Sequence, residues 1–337
     1  MMNHSLPRRR FIRIAGAAAG LLLMGLGDSR RPAAASPLLH RWQGIALGAD
    51  ASLQLYHPDA AEAARLIADC LAEVRRLERI FSLYDQSSAL CRLNRAGELA
   101  DPPQELVELL AVSGRIHRAT GGAFDATVQP LWELYAGHFG GPDADSAGPS
   151  SVAIGHALAR QGFDAVAFDP ERIRFLRPGM ALTLNGIAQG YITDRVAELL
   201  RARGVMHTLV DMGETRALDS HPAGRPWSVG LRDPRAENGL LEELALDNQA
   251  ISTSGGYGTQ FDAAGRFNHI FDPATGGCAT RYLSVSVVAP SATVADALST
   301  AFSLLPMERA AGVLGETGAT DAYFVPPDGS VIRRTAA

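Results

Sequence analysis

The chain has 337 residues and a formal net charge of −5, and all 31 of its basic residues are arginine because the sequence holds no lysine. That absence excludes a lysine-dependent phosphate loop, a Schiff-base enzyme and a pyridoxal enzyme. The acidic balance argues against nucleic acid as the main partner.

Arg8-Arg9-Arg10-Phe11-Ile12-Arg13 precedes an apolar run from Ile14 to Leu26 and the small-residue stretch Ala33-Ala34-Ala35-Ser36. A charged start, a short apolar stretch and an A-x-A site describe an export signal cleaved after Ala35. The paired arginines fit the twin-arginine type, which carries folded proteins. The apolar run falls short of the roughly 20 residues a membrane span needs. Residues 1–35 are therefore expected to be a signal peptide. Residues 36–337 are expected to be a periplasmic protein without a stable membrane span, built as one large domain or two subdomains. Cys70, Cys91 and Cys278 are odd in number and form no C-x-x-C pair, so no disulfide framework is expected.

Ala63, Ile67, Cys70, Val74, Leu77 and Phe81 recur every three or four residues and predict an amphipathic helix from Pro58 to Phe81, with Cys70 in the core. A polar turn through Ser82–Ser88 and a short segment to Asn94 follow. A second helix is expected over Pro103–Arg118, stopped at Thr120-Gly121-Gly122. Phe124-Asp125-Ala126-Thr127 then leads to Pro130-Leu131-Trp132, and Gly140–Ser151 reads as a surface loop. Ala165–Phe168 and Ile173–Leu176 suit a hairpin around Asp169-Pro170.

A strand-like run next ends at Asn185-Gly186, and a helix begins within a few residues and continues to Arg203. Gly186 and Gly190 carry no side chain, so a ligand can approach the backbone there, and the new helix offers unpaired N–H groups to an anion. A plain strand-to-helix connection needs the same glycines. Further strands are expected at Thr208–Met212, Trp227–Leu231, Phe267–Phe271 and Tyr282–Val288. A helix over Thr293–Leu304 and a strand–turn–strand around Asp328-Gly329 close the chain. Short antiparallel turns with interspersed helices predict an α+β fold.

Three clusters carry chemistry. Asp296 and Thr300 lie four apart on a helix and so share a face. Their oxygens suit Mg²⁺, although a helix-start aspartate and a back-bonded threonine need no metal. Ile251-Ser252-Thr253-Ser254-Gly255-Gly256-Tyr257 is a hydroxyl-rich turn fit for phosphate or sugar, and equally a loop of turn formers. His269, with Asp272 three residues on, has the groups to orient or move a proton, or to serve structure alone. No G-x-G-x-x-G follows a strand, and H-E-x-x-H and G-x-S-x-G are absent.

Taken in order, these segments resemble the ApbE family, the FAD:protein FMN transferases. The resemblance rests on Phe81-Ser82-x-Tyr84 with Ser87-Ser88, Gly122-Ala123-Phe124-Asp125-x-Thr127, and the segment Leu182–Arg195. It continues through Asp211-Met212-Gly213-Glu214, Ile251–Gly255, His269-x-x-Asp272-Pro273-x-x-Gly276 and Ala295-Asp296-Ala297-x-x-Thr300. It implies a T-fold-like α+β architecture of mixed sheets packed with helices. It also implies an enzyme that binds FAD with Mg²⁺, splits the pyrophosphate, releases AMP and attaches FMN by a phosphoester to a Thr or Ser of an acceptor flavoprotein.

By that resemblance the metal is held by the Gly186 carbonyl, the Asp296 carboxylate and the Thr300 hydroxyl. Flavin contacts come from Tyr84, Ala123, Phe124, Asp125 and Ile270, with Thr183 and Gln189, and His269 is the candidate to deprotonate the incoming hydroxyl. The family's usual Asp-Leu-Gly-Gly-Ile-Ala-Lys-Gly appears here as Thr183–Gly190, which removes two charges of opposite sign. The usual Met-Gly-Thr appears as Leu47-Gly48-Ala49. The same site also suits an FAD pyrophosphatase or a periplasmic flavin-binding protein that does not turn over. The export signal and the altered segment are similar to the NosX branch, which serves the flavoprotein NosR; redox subunits of sodium-pumping or Rnf-type complexes are further acceptors the resemblance allows.

Overall fold

The described chain starts as a hairpin, β1 (Leu38–Ala46) with β2 (Ala49–His57), in which Ala51, Leu53 and Leu55 alternate inward. The computed structural model describes residues 38–46, 49–141, 144–236 and 239–337. The export signal assigned to residues 1–35 and the Leu47-Gly48 pair lie outside the described residues. After the hairpin come α1 (Ala60–Phe81), α2 (Ala89–Ala96), β3 (Glu98–Ala100), α3 (Gln104–Ala119), α4 (Gln129–Phe139) and α5 (Ser151–Leu158). The middle of the chain forms β4 (Val166–Phe168), β5 (Arg172–Phe175), α6 (Ala188–Ala202), β6 (Thr208–Asp211) and β7 (Thr215–Leu218). The last third forms β8 (Trp227–Arg232), β9 (Leu240–Leu246), β10 (Ala250–Ser254), β11 (Ser284–Ala289), α7 (Ala292–Phe302), α8 (Ala310–Thr317), β12 (Asp321–Val325) and β13 (Ile332–Thr335).

Eight strands make one sheet in the order β1-β2-β6-β7-β10-β11-β12-β13. Every neighbouring pair in it is antiparallel. The expected α+β class holds, with β3-β5-β4 and β8-β9 as two smaller antiparallel sheets. One face of the large sheet packs against α1, α6, α7 and α8, with α3 lying on α1, α7 and α8, in the main core, where Leu53, Leu55, Phe302 and Phe324 are fully buried. Each such side chain contributes about 1.5–3 kcal/mol relative to exposure. In α1, Asp59 caps the first turn by accepting from the Ala61 and Glu62 amides at 2.8 and 3.1 Å. Cys70 sits on its inner stripe with no exposure, and burial pushes its thiol up to about 12, which leaves it unreactive.

The opposite sheet face presents Leu209, Ala217, Ile251 and Val288, and the β8–β9 hairpin covers it with Trp227, Val229 and Leu246. A third, small core joins α4 and α5 to the segment 261–278 through Leu131, Tyr135, Ala157 and Phe271. Tyr135 packs against the rings of Phe261, Phe267 and Phe271 and donates its hydroxyl to the Gly276 carbonyl at 3.0 Å.

Helices α6 and α7 cap each other. Asp194 on α6 accepts from the Ala292 and Thr293 amides, both at 2.9 Å, and from the Ser291 and Thr293 hydroxyls, both at 2.7 Å. Asp296 on α7 returns the bond, accepting from the Gly190 amide in the first turn of α6 at 3.0 Å. The two helix starts approach so closely that a Cβ on Gly190 would collide with the Ala292 carbonyl. Gly190 therefore serves this helix contact, not the ligand approach expected of it.

Two expected strands do not form. Leu182–Leu184 has the right alternation, yet its outer bonds go to a side chain: Leu182 N–H donates to Asn94 Oδ1 and the Leu182 carbonyl accepts from Asn94 Nδ2, both at 2.8 Å. The Asn94 carboxamide takes the place of a neighbouring strand. Phe267–Phe271 makes only isolated bridges, Gln260 with Asn268 and Phe271 with Cys278, because its aromatic residues turn into the small third core.

Candidate functional site

The three cores meet around a cavity of about 780 Å³, within the roughly 300–1,000 Å³ of ligand clefts. Its walls come from the turn after α3, the segment leading into α6, the β6–β7 turn, strand β8, the chain from β10 to Pro273, and α7.

The turn after α3 is set by Gly121 and Gly122, consecutive residues at φ +63° and +86°. Asp125 then fastens it. Its Oδ1 accepts from the Thr127 amide at 2.8 Å and the Thr127 hydroxyl at 2.6 Å, and its Oδ2 accepts from the Phe163 amide at 3.2 Å. His117 Nδ1 lies 3.6 Å from the same carboxylate. Asp125, 8% exposed, thus lines the cavity while spending its charge inside the protein; Ala123 and Phe124 complete that wall.

Adjoining it, with the Thr183 amide donating to the Ala126 carbonyl at 2.8 Å, lie Thr183, Gly186 and Gln189. The buried Gln189 carboxamide lies against Gly213, where a Cβ would come 2.7 Å from Nε2, and Gly213 has a φ of +104°. Glycine is required there twice over, for conformation and for space.

Asp296 and Thr300 face the cavity one turn apart on α7, with Asp296 only 3% exposed. A Cβ on Gly186 would sit 2.9 Å from Thr300 Oγ1, so glycine alone lets this stretch of backbone reach the hydroxyl. Carboxylate, hydroxyl and backbone oxygen are hard donors that fit Mg²⁺. No group of three or more His, Cys, Asp or Glu side chains suited to a metal occurs among the described residues. A cation held here would lean on hydroxyl and backbone oxygens beside one carboxylate.

His269 and Ile270 line the same cavity. His269 Nδ1 is 3.2 Å from the Thr259 carbonyl. A carbonyl only accepts, so Nδ1 is the donor in this contact. Asp272 does not orient this histidine: its carboxylate takes the Ala274 amide and the Thr275 hydroxyl, both at 2.9 Å, and shapes the following turn.

Ten of the eleven sequence-selected residues thus line one cavity: His269, Ala123, Phe124, Asp125, Thr183, Gln189, Ile270, Gly186, Asp296 and Thr300. Tyr84 does not line it. It follows the Ser82-anchored turn after α1 and is 76% exposed. Sequence reasoning assigned no role to Asp211, Glu214 or the Val229–Arg232 wall, all of which line the cavity. The signal for the first two was the Asp211–Glu214 block itself, two carboxylates flanking a glycine. Burial pushes the Asp211 carboxyl up to about 6 against the bond it accepts from the Gly213 amide at 3.1 Å.

The ApbE family model matches residues 47–324. A protein of Klebsiella pneumoniae (strain 342) named FAD:protein FMN transferase is 30% identical over 331 residues, covering 95% of this chain and 93% of the relative. The structure of the Pseudomonas stutzeri flavinyl transferase ApbE in its apo form superposes with a TM-score of 0.75 at 27% identity, covering 89% of this chain and 95% of that one. The ApbE protein of Thermotoga maritima gives a TM-score of 0.77 at 28% identity, covering 88% and 97%. Sequence, fold and site composition agree, and the chain belongs to the ApbE family.

Proposed function

We propose that the chain is an FAD:protein FMN transferase that works with Mg²⁺ and releases AMP. The observation that supports this most is the convergence of Gly186, Asp296 and Thr300 in a single cavity that His269 also lines. Asp296, Thr300 and the Gly186 carbonyl would hold the cation, which when bound supplies charge neutralisation to the pyrophosphate oxygens. The remaining work falls to the protein's own groups. Ala123, Phe124 and Ile270 offer apolar surface to the flavin ring. Thr183 and Gln189 offer neutral hydrogen bonds where the family pattern has charges. His269 would take the proton from an acceptor Thr or Ser hydroxyl as its oxygen bonds to the FMN phosphorus and the bond to AMP breaks.

The acceptor we infer is a periplasm-facing flavoprotein, with NosR the candidate named by the sequence resemblance, reached after export of the chain through residues 1–35. Fractionation of cells expressing the full chain should place it in the periplasm; retention in the cytoplasm overturns the export reading. Purified protein incubated with FAD, Mg²⁺ and an acceptor should yield a fluorescent flavin band on the acceptor in a denaturing gel. Asp296→Ala should lower that yield at least about 100-fold, as loss of a charged oxygen donor to a bound cation implies. Free FMN and AMP without protein-bound flavin would replace the proposal with an FAD pyrophosphatase, and intact FAD would replace it with a flavin-binding protein.

A further inference from the structure

Beside Thr300 runs a chain of hydroxyls, Ser254 and Ser299, that ends on a backbone carbonyl. Ser299 Oγ donates to the Asp296 carbonyl at 2.9 Å. A carbonyl cannot donate, and a serine hydroxyl has one hydrogen, so with that hydrogen on the carbonyl Ser299 accepts from its other neighbours. Those neighbours are Ser254 Oγ at 2.7 Å and Ser252 Oγ at 3.3 Å. The Ser254 hydrogen is thereby committed to Ser299. Ser254 Oγ must then accept from Thr300 Oγ1, 3.2 Å away. In that arrangement the hydrogens run from Thr300 to Ser254 at the cavity edge, on to the buried Ser299, and end on the Asp296 backbone.

The orientation of Thr300 is not the default for a helical hydroxyl. Ser113, Thr193 and Thr317 each donate to the carbonyl four residues earlier, at 2.7–2.8 Å. Such back-bonding is the usual fate of Ser and Thr in helices. Thr300 instead reaches across to strand β10, and its Oγ1 is held at the closest approach of the Gly186 backbone. Ser299 is fully buried and makes no approach to the cavity, so its place in the chain is to direct Ser254.

We propose that Ser254 and Ser299 are positioning residues that commit the Thr300 hydrogen inward, so that Thr300 Oγ1 presents only lone pairs to a divalent cation. This inference rests on the cation reading of the proposed function. A neutral hydroxyl left free to rotate would point its hydrogen at the cation for part of the time; the chain removes that state. Outer partners of this kind typically carry about 10–100-fold of metal affinity.

The test uses Mn²⁺ alone as probe, with the free ion counted by its electron paramagnetic resonance signal, and thermal melting to confirm that each variant folds. Ser254→Ala and Ser299→Ala should each raise the Mn²⁺ dissociation constant about tenfold. Ser254→Thr, which keeps the hydroxyl, should restore it, and Thr300→Val should lose at least as much as either alanine variant. Affinities for Ser254→Ala and Ser299→Ala within twofold of the parent, with Thr300→Val and Asp296→Ala still weakened, would overturn the hydroxyl chain and leave the cation site standing. Unchanged affinity in Thr300→Val and Asp296→Ala as well would overturn the cation site itself, and this inference with it.

Discussion

At the scale of single residues, Asp211 gives the clearest consequence of burial. Its carboxyl is pushed up to about 6 in the folded chain, against about 3.9 in an unfolded one. The folded state therefore holds a proton that the unfolded state has lost. Its relative stabilisation is complete below pH 4 and disappears as the pH rises through 6. Without FAD or cation, Asp211→Asn should flatten the loss of stability between pH 4 and 6 and gain on the order of 2 kcal/mol at pH 7. Chemical denaturation at several pH values measures this, and an unaltered slope would contradict it. Gly213 is as constrained as its neighbour is titratable. Gly213→Ala must place a methyl group at φ +104° and against Gln189 Nε2. A loss of about 1–3 kcal/mol is expected, with weakened FAD binding by fluorescence because Gln189 is displaced.

Among elements, the paired starts of α6 and α7 decide whether a site exists. Asp194 accepts four hydrogen bonds from the start of α7 and pairs with Arg216 at 3.3 Å, with both side chains largely buried. Asp194→Ala strands those donors and the guanidinium together. It should cost about 3–5 kcal/mol in urea denaturation. It should also weaken Mn²⁺ binding although Asp194 is outside the cavity lining. A normal Mn²⁺ affinity in a folded Asp194→Ala variant would mean that α7 holds its place by packing alone.

The elements differ in how far the sequence announced them. Helix α1 was legible because it buries one stripe, which leaves a repeat of three to four residues, and α3 through its stop at Gly121-Gly122. The hairpin β4–β5 was legible through Asp169-Pro170. Helices α4 and α5 were missed because they bury against a small satellite core, and α5 has a single buried residue, Ala157, to reveal a stripe. The strand expected at Leu182–Leu184 shows the converse failure. Its alternation is genuine, but a distant Asn94 supplies the partner, and no local pattern can show that. The site was legible where its residues sit in contiguous motifs, as at Gly122–Thr127 and Ala295–Thr300. The β8 wall was not, since Val229–Arg232 reads as an ordinary strand until the hairpin folds over the sheet.

For the molecule as a whole, the cavity lies where three separate cores meet, so a bound FAD would touch the main core, the hairpin core and the α4–α5 core at once. FAD at about 100 times its dissociation constant adds about 2.7 kcal/mol to the folded state. That should raise the melting temperature by several degrees. Asp296→Ala should retain the shift given by FAD alone and lose the increment that Mg²⁺ adds. Equal Mg²⁺ increments in both proteins would separate the cation from Asp296. The third core is held chiefly by aromatic contacts around Tyr135. Limited proteolysis should accordingly open residues 129–158 before the main core, and FAD should slow it.

Strand β10 ties this assembly to a parity. Ser252 and Ser254 face α7, whereas Ile251 and Thr253 face the other way, Ile251 into the hairpin core and Thr253 onto Ser286 of β11. Side chains alternate strictly along a strand, so a shift of one residue exchanges the two rows. One residue inserted within β10 would turn the hydroxyls to the hairpin and bring Ile251 against Ser299, erasing the chain beside Thr300 without touching a ligand. The same insertion in the connection between α4 and α5 changes no parity. Tolerance to length variation in this protein is thus set by odd and even positions as much as by distance from the cavity.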